Sequence, residues 1–144
     1  MDLGTTVEYA FCPPASGNHF NVAGQAPLPR NYYGPDVSLR PGNWVHNLEH
    51  GYVDLLYSCK TACPSQDVLN SMQQVMNLAP LPPDAASCGL ANKVIVVRFD
   101  DMDTQFAALA WDRAMLMPTW DANAALTFAQ QWQDGPQIPE PGTC

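Results

Sequence analysis

K-V-I-V-V-R-F-D, residues 93–100, is the segment that most limits what this chain can become. Val94, Ile95, Val96 and Val97 are all β-branched, which stiffens the side chains and favours extended backbone. A strand this apolar has to be covered. G-Y-V-D-L-L-Y, residues 51–57, reads as a second strand, central and buried on both faces. Between them Ser65 is placed to cap a helix over Gln66–Leu78. Val68, Leu69, Met72, Val75 and Met76 fall on one face of that helix.

The other segments are read around this frame. V-E-Y-A-F (7–11) alternates enough to predict a short strand. Residues 105–117 mix alanine and leucine with a need for sheet partners, and a strand over Phe106–Arg113 is the preferred reading. Asp121 or Thr119 caps a last helix reaching Gln133, with Ala125, Phe128, Ala129 and Trp132 inward. The order coil, β, α, β, β, α predicts an α+β fold: a small, mostly antiparallel sheet with two helices on one face. With 144 residues the chain is expected to form a single domain. Residues 1–43 would be a long ordered wrapping coil, 44–134 the core, and 135–144 a Pro-rich tail.

Composition excludes several classes of partner. The net charge is −8, and only 6 Lys and Arg are present, scattered with no basic stripe. Nucleic acid is not expected, because binding it rests on phosphate neutralisation. No run approaches the ~20 apolar residues of a membrane span, so no membrane insertion is expected from this segment. The sequence names no protein partner and no oligomeric state.

The five cysteines, Cys12, Cys59, Cys63, Cys88 and Cys144, contain no C-x-x-C pair. They predict two disulfides and one free thiol in an oxidising compartment, with Cys144 the candidate for the odd one. A secreted, periplasmic or cell-surface location follows. The opening M-D-L-G-T-T has neither a basic n-region nor an apolar h-region, so the cysteines alone carry that expectation. C-K-T-A-C-P (59–64) resembles the copper-delivery motif of Sco-type thioredoxin-like proteins, but too little βαβ sequence precedes it. Structural disulfides are preferred there, one of them to Cys88. Met102, Met115 and Met117 are read as core filler rather than Cu(I) ligands.

Chemistry concentrates in W-V-H-N-L-E-H-G-Y, residues 44–52. His46 and His50 stand four apart. On a helical turn their Cβ atoms lie about 6 Å apart and can share one ion. On a strand they are about 13–14 Å apart and cannot. His19 is the third and last histidine. Three neutral imidazoles suit copper first and zinc second. Glu49 is either a ligand, a base, or an orienting group beside the ligands, as is Ser16 in the orienting role. H-x-x-E-H also matches a zinc-protease pattern with Glu49 as the catalytic base. That reading lacks a helical acidic ligand downstream, where the only glutamate is Glu140 in the tail. The plainer alternative is that the histidines and Glu49 tie the coil to the core.

P-P-A-S-G-N-H-F (13–20) followed by W-V-H-N-L-E-H-G-Y-V (44–53) resembles the motif pair of domain of unknown function family 3105. The resemblance runs on through the strand ending at Tyr57, K-V-I-V-V, A-L-A-W (108–111) and the last helix. It implies a bacterial protein of the secreted or anchored kind and leaves activity open. His19 matches the loop histidine of that family, and His46, Glu49, His50 and Gly51 match its second motif. Pro13, Pro14, Gly17 and Gly51 are expected to shape the two motifs. The expectation is thus a secreted metal-binding domain, copper before zinc, in a redox or carrier role. A non-catalytic extracellular interaction domain and a zinc hydrolase are the alternatives.

Overall fold

A four-stranded sheet organises the chain, seen here in a computed structural model that describes residues 1–144. Its strands are β1 (Val53–Tyr57), β2 (Val94–Arg98), β3 (Phe106–Ala110) and β4 (Arg113–Met117), in the order β2-β1-β3-β4. β1 is buried at all five positions, Asp54 included, as a central strand covered on both faces must be. The sheet is mixed. β1–β3 and β3–β4 are antiparallel, as the sequence leads one to expect for most pairings, but β1 and β2 are parallel. The parallel pair follows from the helix between them, because a crossover must return the chain to the same end of the sheet.

That crossover is α2 (Gln66–Leu78), and Ser65 Oγ accepts from Val68 N at 3.3 Å at its start. α3 (Ala122–Trp132) begins where Asp121 Oδ1 accepts from Ala124 N at 3.0 Å. Both helices pack on one face: Leu69, Met72, Val75 and Met76 with Ala125, Phe128 and Ala129 against Val53, Leu55, Val94, Val96 and Ala108. The opposite face is covered by a helix the sequence leaves undecided between turn and strand. α1 (Pro41–Glu49) lays Trp44, Val45 and Leu48 on Leu56, Ile95, Val97 and Leu109.

Four expectations are corrected. Residues 7–11 form no strand; they run as coil. The single strand over Phe106–Arg113 is instead a hairpin, turning at Trp111–Asp112 with Asp112 at φ +57°. Cys144 is not the odd cysteine: it pairs with Cys88, and Cys12 is the free, exposed one. Cys59 pairs with Cys63 and not with Cys88. Met102 and Met117 are buried in clusters on opposite faces of the sheet, which fits core filling.

The N-terminal coil covers the free edge of β2. Tyr33 N donates to Val96 O at 2.8 Å, and Val96 N donates to Asn31 O at 3.3 Å. An unpaired edge is an aggregation template, and this contact closes it. Asn47, fully buried on α1, holds the same coil from the other side through paired bonds to Leu28 N and Leu28 O, both 2.8 Å.

Candidate metal centre

Everything at the centre depends on α1 being a helix. Pro41 occupies the first helical position, where its missing N–H costs nothing. Asn43 Oδ1 accepts from Arg40 N at 3.0 Å and closes the first turn. Gly42 is there because its neighbour is a ring: a Cβ would meet the Phe20 side chain at 2.5 Å. The helix ends in a Schellman turn. Tyr52 N donates to Asn47 O and Gly51 N donates to Leu48 O, both at 3.0 Å. Gly51, at φ +91°, makes that turn possible.

This geometry gathers the histidines. The His46 and His50 ring centroids are 4.7 Å apart, and His19 comes within 4.5 Å of His46. His19 reaches the helix from the 13–20 loop. Pro13 and Pro14 are buried there, and Asp112 N in the β3–β4 turn donates to Ala15 O at 2.9 Å. Trp111, in the same turn, stands edge-on to the His19 ring at 6.5 Å. Ser16 is half-buried in this loop, and no side-chain hydrogen bond joins it to the histidines.

The ring nitrogens are committed in an ordered way. His46 Nδ1 lies 2.7 Å from Phe20 O, and His19 Nδ1 lies 2.9 Å from Gly17 O. Only a protonated Nδ1 satisfies a carbonyl oxygen, so each contact fixes a tautomer that directs the Nε2 lone pair elsewhere. For His19 that direction is Glu49, whose Oε2 is 2.9 Å from Nε2. The close Nε2–Oε2 contact needs a proton or a cation between its two atoms. Burial lowers the pKa of His46 and of His50 below the ordinary imidazole value, in each case with the neighbouring histidine adding to it. Both shifts favour the neutral ring, the form that binds metals.

Two groups of ligand atoms lie within 4.8 Å of one another. One is His19, His46 and Glu49; the other is Glu49, His50 and Glu140. Glu140 is the residue that sequence reasoning passed over. Its Oε2 is 3.4 Å from His50 Nε2. It arrives because the tail is folded back by the Cys88–Cys144 disulfide and by Lys93. Lys93 Nζ, fully buried, donates to His50 O at 2.8 Å, to Asp134 Oδ1 at 3.0 Å and to Thr143 O at 2.6 Å. The only sequence signal for Glu140 is its being the sole glutamate after Glu49.

The other candidates lie elsewhere. Cys59–Cys63 follows the C-terminal end of β1, whereas His50 precedes its N-terminal end. A strand of this length separates them by about 17 Å. Free Cys12 donates to Asp101 O, and burial together with Asp101 and Asp103 pushes its thiol pKa up. No helix is long and apolar enough to cross a membrane.

No curated protein and no solved structure matches the chain. The profile of the family described as "Protein of unknown function (DUF3105)" matches residues 1–144, and the chain belongs to that family.

Proposed function

We propose that this is an exported metal-binding domain that uses His19, His46 and His50, with Glu49 beside them, in a carrier or redox role. The observation that carries the reading is the paired Nδ1 contacts to Phe20 O and Gly17 O. Such contacts orient imidazoles for a cation and raise their basicity. Copper, as Cu²⁺, is the first choice because imidazole-rich sites bind it most tightly among divalent first-row ions, and zinc is the second. The two disulfides suit an oxidising compartment, which supports a secreted, periplasmic or cell-surface setting.

Metal analysis of tag-free protein, exposed to Cu²⁺ or Zn²⁺ and then desalted, tests it. Near-stoichiometric metal is expected in the wild type, with a loss of at least tenfold in affinity for His46→Ala. If His46→Ala changes the melting temperature while neither protein retains metal, the histidines only lock the coil. An extracellular interaction domain is then the better reading.

A zinc hydrolase is the second reading, favoured by one observation: Glu140 supplies an acid downstream of the H-x-x-E-H segment. It requires zinc-dependent peptidase activity that Glu49→Gln abolishes while zinc stays bound.

A further inference from the structure

We infer that the centre takes two divalent first-row cations, joined by Glu49, and that Glu140 completes the second position. The inference rests on the metal-binding reading above. The ligand atoms fall into two triplets that share one residue, Glu49. A carboxylate has two oxygens and can bridge two cations roughly 3.5–4 Å apart, the spacing of paired-metal sites. The first position has two imidazoles and the bridge. The second has His50, the bridge and a carboxylate of its own.

Each position is built by a different part of the chain. The first is held by the 13–20 loop, through His19 Nδ1 on Gly17 O, and by α1. The second is held by the turn after α1 and by the tail. His50 O accepts from the buried Lys93 ammonium, and the same ammonium binds Thr143 O. Gly142 N donates to Asp134 Oδ1 at 3.4 Å, and the Cys88–Cys144 disulfide fixes the end of the segment. Glu140 is therefore carried on a fastened loop. His50 Nδ1 is buried with no hydrogen-bond partner, so backbone contacts do not fix this ring as they fix His19 and His46.

Exposure is uneven across the two positions. The side chains of His19 and Glu49 are 16% and 22% exposed; at the second position His50 is 13% exposed and Glu140 49%. The second position opens to solvent on its Glu140 side alone, and an ion there is expected to exchange through that side. The charge pattern agrees: a second dication brings two positive charges, and Glu140 is the second carboxylate available to offset them.

Native mass spectrometry of the disulfide-intact, tag-free chain titrated with Zn²⁺ tests this. The expected result is two Zn²⁺ per wild-type chain and one per Glu140→Gln chain, the remaining ion bound within about threefold of its wild-type affinity. Glu49→Gln, which alters the bridge, is expected to weaken both ions by tenfold or more. A wild type that saturates at one Zn²⁺ overturns the paired centre and leaves the metal-binding reading standing. A second Zn²⁺ that survives Glu140→Gln overturns it too, because that ion lies elsewhere. No Zn²⁺ or Cu²⁺ at all overturns both. Because Glu140 is half exposed, its substitution is expected to leave folding intact, and an unchanged thermal melt checks that.

Discussion

Asp54 is the residue whose position costs the fold most visibly. It is the second residue of β1, paired between Ile95 and Leu109, fully buried, and neither carboxyl oxygen has a hydrogen-bond partner. Burial raises its pKa well above the ordinary carboxylate value. The folded chain therefore keeps a proton that the unfolded chain releases. The stability this group allows is complete below the unfolded value near 3.8 and is lost as pH rises through the folded value. Between those two values the loss amounts to about 1.4 kcal/mol per pH unit. Urea unfolding of wild type and Asp54→Asn across pH 4–8 measures it. The wild type should lose ground to the variant as pH rises, and parallel profiles would refute the claim. Nothing in V-D-L-L-Y distinguishes this aspartate from one at a strand edge, because protonation depends on what packs above it.

At the scale of elements, α1 decides whether a centre exists. Its residues from Gly42 to Leu48 are all buried; Trp44, Val45 and Leu48 keep helical spacing toward the sheet, while Asn43, His46 and Asn47 are covered as well. Pro41 at the first position was a legible start signal, and Gly51 a legible stop. The wrapping coil was legible, but not which of its residues the helix holds, since the bonds from Asn47 to Leu28 span 19 residues. The β3–β4 hairpin was hidden for another reason. β3 falls inside the expected strand, but Trp111–Asp112 carries no glycine turn signal, so nothing local marks where β4 begins. Gly51→Ala tests the turn that ends α1. The new Cβ would meet Asp134 Oδ1 and approach Ile138 Cδ1 at 2.9 Å, on a backbone at φ +91°. Strain together with disturbance of the buried Lys93–Asp134 pair predicts a loss of about 3 kcal/mol or more. A denaturation midpoint within experimental error of wild type would show that the turn yields at no cost.

For the whole molecule, the two disulfides differ in what they span. Cys59–Cys63 closes a separation of 4 residues and Cys88–Cys144 one of 56. Loop-closure entropy gives about 2 kcal/mol for the first and about 4 kcal/mol for the second. Cys88→Ser/Cys144→Ser should therefore destabilise the chain about twice as much as Cys59→Ser/Cys63→Ser. Calorimetry of the two double variants decides the order, and the reverse ranking would contradict the entropy argument. The number of disulfides was legible from five cysteines, but their pairing was not, because it depends on where the tail returns. For the same reason the approach of the histidines could be posed from the sequence as a question about local geometry, while the division of the ligand atoms into two groups and the place of Glu140 could not.

The fastened tail also makes the centre a record of the chain's history. Glu140 stands beside His50 on a segment that the Cys88–Cys144 disulfide fastens covalently and Lys93 fastens by a hydrogen bond. A chain matured among reducing thiols keeps α1 and its histidines but holds its C-terminal segment only by non-covalent contacts such as Lys93 Nζ to Thr143 O. Two preparations of identical sequence, one folded in an oxidising compartment and one in a reducing cytosol, would then present different sets of donor atoms to the same metal solution.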